Sequence, residues 1–156
     1  MFREMRRYKQ QVTDGEALEI LQSAKRGVLA VMGDEGYPYT IPLDFVYDDG
    51  KIYFHSAKTG HKIDAIRNYD KASFCVLNDG YKELGQWWYH ITSIICFGRI
   101  CLVEDESIAM EKLRRIGKKY FPSEVDLEEE MAKNAKNAAV IELTIEHMTG
   151  KKVREK

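Results

Sequence analysis

No stretch of this sequence is apolar for long enough to cross a bilayer, and the charged opening MFREMRRYK lacks the apolar core of an export signal. The expectation is a cytoplasmic protein with no membrane partner. Cysteine is scarce. Cys75, Cys96 and Cys101 make neither an even disulfide set nor a CxxC pair, as suits a reducing compartment. All three sit in apolar runs and read as small buried hydrophobes rather than nucleophiles. The four histidines, His55, His61, His90 and His147, are scattered and form no HExxH, so no metal site is expected.

An excess of either charge is absent as well. The formal net charge of −1 gives no global pull toward nucleic acid or anionic lipid. Basic residues gather at one end as Arg3, Arg6, Arg7 and Lys9 and at the other as Lys151, Lys152, Arg154 and Lys156. Without aromatic interleaving or a reading motif they read as solvated tails, and no nucleic-acid partner is expected. The phrase SAKTGHK lacks the first glycine of a P-loop and puts His61 between Gly60 and Lys62, and no GxSxG elbow occurs. A kinase or ATPase reading drops out, and serine-hydrolase chemistry is poorly supported.

What is present suits one soluble domain over residues 1–156, since 44% hydrophobic and 31% charged residues describe a globular chain long enough to bury a core unaided. Thr13 followed by Glu16 is a capping-box pattern that opens a helix over about residues 14 to 25. Residues 27–32 are apolar without alternation, as for a strand covered on both faces. In the next strand Tyr39, Ile41, Leu43, Phe45 and Tyr47 share one face. Pro42 on the other face marks an edge or a bulge. Asp49-Gly50 signals a hairpin turn, and Lys51 to His55 returns. Lys71 to Asn78 is a further strand, and WWYHITSIICFGRICLVE a long one with a bulge at Gly98. Asp105 caps a helix through Tyr120, a second helix spans roughly Glu124 to Lys136, and alternation from Ala139 to Ile145 marks the last strand. Six strand segments with helices outside them suggest an antiparallel barrel.

The stretch YPYTIPLDFVYDDGKIYFHSAKTGHKIDAIR carries the functional signal. A strand ending at His55 leads through a loop of small polar residues into a short helix. Ser56 and Thr59 offer hydroxyls, Gly60 admits close backbone approach, Lys62 supplies positive charge, and the helix start presents free N–H groups, which together can cradle an anion. The same residues also suit an ordinary hairpin followed by a capped surface helix. His55, on residue type alone, suits a surface or hydrogen-bonded role at least as well as a catalytic one.

IYFHSAKTGHKIDAIRN, preceded by GVLAVMGDEGYPYTIPLDFVYDDG and followed by CFGRI and the closing IELTIEHMTGKK, resembles the pyridoxamine 5'-phosphate oxidase-like FMN-binding split-barrel superfamily, nearest the branch of the 5-nitroimidazole resistance (Nim) proteins. The likeness runs over nearly the whole chain. It implies a mainly β fold, a six-stranded antiparallel Greek-key split barrel with peripheral helices, working as a homodimer with flavin at the subunit interface. The resemblance implies FMN, with FAD possible, and NAD(P)H as electron donor to a small-molecule acceptor such as a nitroimidazole. It gives the phosphate to Ser56, Ala57, Lys62 and the backbone of Ile63, and the ring edge to Pro42, Leu43 and Asp44. Ser93, Cys96 and Phe97 become candidates to cover the ring from the partner chain, and His55 lies beside the flavin as a candidate catalytic group. A flavin-binding or redox-sensing protein without efficient turnover is the alternative. A pyridoxamine 5'-phosphate oxidase ranks lower, because it needs a second phosphate site.

Overall fold

The computed structural model describes residues 1–153. Its elements run α1 (Asp14–Ser23), β1 (Arg26–Met32), β2 (Pro38–Asp44), β3 (Val46–Asp48), β4 (Lys51–Ala57), α2 (His61–Asn68), β5 (Lys71–Leu77), β6 (Thr92–Leu102), α3 (Glu106–Tyr120), α4 (Glu124–Asn134) and β7 (Ala138–Lys152). The strands form one antiparallel sheet in the order β2-β1-β5-β6-β7-β4-β3. Seven strands replace the expected six because the segment around Tyr39–Tyr47 divides at Phe45. β2 then lies on one edge of the sheet and β3 on the other, so the single residue between them ties the two edges together and the sheet curls into a split barrel.

Phe45, Phe54 and Phe74 fill the barrel with no solvent exposure, Phe74 meeting the other two edge-on at centroid distances of 4.9 and 5.0 Å. Edge-to-face contacts of this kind suit the aromatic quadrupole. A second cluster lies outside the barrel wall, where Tyr53, Leu113, Ile116, Ala135 and Val140 pack the α3–α4 pair against β4 and β7. Strand β4 divides its side chains between the two: Ile52 and Phe54 enter the barrel, while Tyr53 turns toward the helices.

Local signals act where the sequence places them. The Thr13 hydroxyl accepts from the Glu16 amide while the Glu16 carboxylate accepts from the Thr13 amide. Asp105 caps α3 by accepting from the amides of Ser107 and Ile108. Asp49 and Gly50 both take positive φ, 44° and 79°, as the tight β3–β4 hairpin requires. The β6–β7 register shifts between Phe97 and Gly98, and a Cβ at Gly98 would collide with the Thr144 carbonyl.

Other boundaries move. β6 begins at Thr92, five residues later than the apolar run suggests, because Trp87 to Ile91 belong to a loop held by the Tyr81–His90 bridge. β7 runs on to Lys152, so Lys151 and Lys152 are strand residues paired with Ser93 and Thr92 rather than a solvated tail. Arg154 and Lys156 lie outside the described residues. Among the described residues no helix is long and apolar enough to cross a membrane.

Candidate functional site

Among the described residues β2 pairs with β1 alone, which leaves its outer backbone edge open where Pro42 sits. The proline costs no ladder bond there. Opposite that edge, β4 ends and leads into the polar loop before α2. The two walls enclose a cleft of about 500 Å³ lined by Pro42, Leu43, Asp44, His55, Ser56, Ala57, Lys62 and Arg26. Volumes of roughly 300–1,000 Å³ are usual for cofactor sites. Seven of these eight, expected from three separate places between residues 42 and 62, are thus gathered into one cavity.

Lys62 is the electrostatic centre of this cleft. It is half-buried, burial lowers its pKa, and among the described residues it has no acidic partner. A desolvated cation without a counter-charge is costly, and an anion beside it relieves that cost. Gly60, at φ 119°, turns the chain into α2, and a Cβ there would meet open space. Its carbonyl accepts from the amides of Ile63 (2.8 Å) and Asp64 (3.1 Å). The Ile63 amide, expected to grip a phosphate, is therefore already engaged in the first helical turn, and its side chain is fully buried. The helix-start donors left for an anion are those of His61 and Lys62.

His55 follows Tyr53 by two residues on β4 and so faces the same side of the sheet, toward the α3–α4 pair. Its ring is exposed, and among the described residues it makes no hydrogen bond, ion pair or ring contact. Arg26 is a cleft residue that sequence reasoning missed. Its Nε donates to Asp44 at 2.7 Å across the β1–β2 ladder, where Arg26 stands directly opposite Asp44. Counting outward from the turn at residues 33–36 along both strands would have found it. Among the described residues the pair leaves Lys62 as the cleft cation without a counter-charge.

Ser93, Cys96 and Phe97 do not join this cleft. They lie on β6, and alternation separates them: Ser93 and Phe97 face outward, while Cys96 enters the core with no exposure. Burial pushes its thiol up to about 12. The Cys96 side chain is thus closed to a ring on the barrel's exterior. Phe97 is 40% exposed and lies beside Phe2 at 5.7 Å between ring centroids.

A family model described as pyridoxamine 5'-phosphate oxidase matches residues 13–152, from the α1 cap to the end of β7. The chain belongs to that family. No curated protein sequence matches it. Solved structures share the family's fold. A candidate 5-nitroimidazole antibiotic resistance protein from Bacteroides thetaiotaomicron is 22% identical with a TM-score of 0.75, covering 90% of this chain and 85% of that one. The flavocytochrome Anf3 from Azotobacter vinelandii is 23% identical with a TM-score of 0.79, over 97% of this chain and 73% of that one. An FAD-binding protein from Mesorhizobium loti is 20% identical with a TM-score of 0.66, over 92% and 97%. At these identities the likeness establishes the split-barrel fold of the pyridoxamine 5'-phosphate oxidase family.

Proposed function

We propose that this chain is a homodimeric flavin-dependent oxidoreductase that prefers FMN to FAD and passes electrons from NAD(P)H to a small oxidised acceptor such as a nitroimidazole. The observation that carries the reading is Lys62, a half-buried cation with no acidic partner among the described residues, set at the start of α2 across a cleft from an open strand edge. Bound flavin would supply the two-electron chemistry. The chain supplies the rest: Lys62 and the first amides of α2 hold the phosphate, Ser56 adds a hydroxyl, and the open edge of β2 at Pro42 to Asp44 meets the ring edge. His55, exposed beside this cleft with its ring nitrogens uncommitted among the described residues, moves a proton to or from the acceptor.

The outer face of the sheet supports the dimer. Val28, Met32, Leu77, Ile95 and Phe97 are each between 38% and 53% exposed there. A contiguous apolar face is unusual on a monomer and is the ordinary mark of an interface. Strand β1 is apolar on both faces, and the barrel covers only one of them. Ser93 and Phe97, on this same outer face, are then the residues offered to the partner's flavin.

The purified protein should be yellow, release FMN on denaturation, bleach under anaerobic NADH or NADPH, and recover colour when a nitroimidazole is added. Colourless protein that takes up no added flavin would sink the proposal. Bleaching without recovery would favour the alternative, a flavin-binding or redox-sensing protein, which the FAD-binding relative also supports. A pyridoxamine 5'-phosphate oxidase activity ranks below both, because the cleft's other cation, Arg26, is already tied to Asp44.

A further inference from the structure

His55 and Asp44 line a second cavity as well as the cleft. It measures about 520 Å³ and lies beneath the α3–α4 pair, on the face of β4 to which Tyr53 and His55 both belong. Its wall is apolar, built from Leu113, Ile116, Leu127, Met131 and Ala135. The polar side chains are His55, Asp44, Glu130 and Asn134, together with Tyr120, whose hydroxyl is engaged by the backbone of Phe45 and Lys25. The space opens to solvent past the exposed His55, Glu130 and Asn134, so it is a groove between two helices and a sheet with an apolar floor, the usual build of a small-molecule site.

The lining contains neither lysine nor arginine. Asp44 has its charge met by Arg26, while Glu130 accepts from the Asn134 side-chain amide at 2.8 Å and has no cationic partner among the described residues. A phosphorylated or carboxylated ligand would enter without a cationic partner and beside a like charge. A neutral aromatic molecule would cover apolar wall and place one hydrogen-bonding substituent at His55.

We infer that the cavity beneath α3 and α4 is the acceptor site, formed within one chain, and that it takes neutral, apolar, ring-bearing acceptors while rejecting anionic ones. The inference rests on the flavoprotein reading for the fate of the bound molecule, but not for its binding. The shared residues His55 and Asp44 join the site to the flavin cleft, so an occupant reaches the redox centre from the helical side without crossing the phosphate loop. Selection by charge then sits in the helical pair, and electron supply in the barrel.

The test uses two nitroarenes that differ only at one substituent, 4-nitrobenzyl alcohol and 4-nitrobenzoate, titrated into protein as purified. Methyl NMR of ¹³C-methionine protein reports the site directly, with the Met131 signal assigned by its loss in Met131→Leu. The Met131 signal should shift saturably with the alcohol, and the carboxylate should bind at least about tenfold more weakly. Ala138→Phe, which narrows the cavity from β7, should weaken the alcohol by a similar factor while leaving the flavin content unchanged. If that variant fails to fold, Asn134→Trp narrows the mouth from the exposed end of α4 and should do the same. An unmoved Met131 signal, or equal affinity for both compounds, overturns the inference. Colourless protein that takes up no added flavin but in which Met131 still shifts would overturn the flavin reading and leave this site standing.

Discussion

The Tyr120 hydroxyl grips the backbone of Phe45 from both sides, accepting from its amide at 2.8 Å and reaching its carbonyl at 2.8 Å. Phe45 is the residue at which the chain leaves one sheet edge for the other, so the end of α3 holds the barrel's closure. Lys119 adds to the hold, donating to the carbonyls of Ala24 (2.5 Å) and Phe45 (3.1 Å) and standing 4.2 Å from the Phe45 ring centroid. Asp44, next in the chain, is thereby fixed between the cleft and the helical cavity.

Tyr120→Phe should therefore destabilise the fold by about 1–3 kcal/mol, the cost of leaving a buried amide unsatisfied. For a chain of this length that is a drop of roughly 2–12 °C in Tm. Calorimetry of the two proteins checks it, and an unchanged Tm would show that water replaces the hydroxyl.

Burial brings Lys119 down to about 8 from its ordinary value of 10.5, opposed weakly by the charge of Asp44. Between those values the unfolded chain holds a proton that the folded chain has released, so this residue's contribution to stability rises with pH from about 8 to 10.5. Denaturant titrations of wild type and Lys119→Met should thus show a stability difference that moves in favour of wild type over that window. A difference independent of pH would mean that the carbonyls and the Phe45 ring keep the ammonium charged.

Lys62→Ala should weaken flavin binding about tenfold to a hundredfold, since a charge-assisted hydrogen bond is worth roughly 1.5–3 kcal/mol. Fluorescence titration of apoprotein with FMN measures it. Unchanged affinity would move the phosphate away from α2.

His55→Ala should keep the dimer and its flavin while slowing reoxidation by the acceptor roughly a hundredfold to ten-thousandfold, the range of a positioned acid or base. Stopped-flow measurement separates the two half-reactions. Equal reoxidation rates would make His55 structural, and loss of flavin would make it a binding residue.

Ile95→Asp puts a charge in the middle of the apolar outer face, 38% exposed in the single chain. Sedimentation should show a dimer for wild type at micromolar concentration and a monomer for the variant, with flavin lost alongside. A flavin-loaded wild-type monomer would contradict the two-chain site.

The sequence by itself determined the elements whose causes are local. The Thr13–Glu16 box, the Asp105 cap and the Asp49-Gly50 turn each act over two to four residues, and each appears where its pattern stands. Pro42 named an edge because a missing N–H excludes a central strand whatever the fold around it. The loop from Ser56 to Lys62 was legible for the same reason, being contiguous. Only the tertiary structure decided what depends on register and on crossing the barrel. Nothing local to Phe45 divides its strand; the division follows from closing the curled sheet. Arg26 joined Asp44, eighteen residues along the chain, at the last of the seven paired positions of the β1–β2 ladder, and Cys96 turned inward because the strand's alternation is anchored at Gly98 and Thr144 rather than at the cysteine. The cavity under α3 and α4 depends on two helices, Glu106–Tyr120 and Glu124–Asn134, coming to rest on the face of β4 that carries His55. No periodicity within either segment records that meeting.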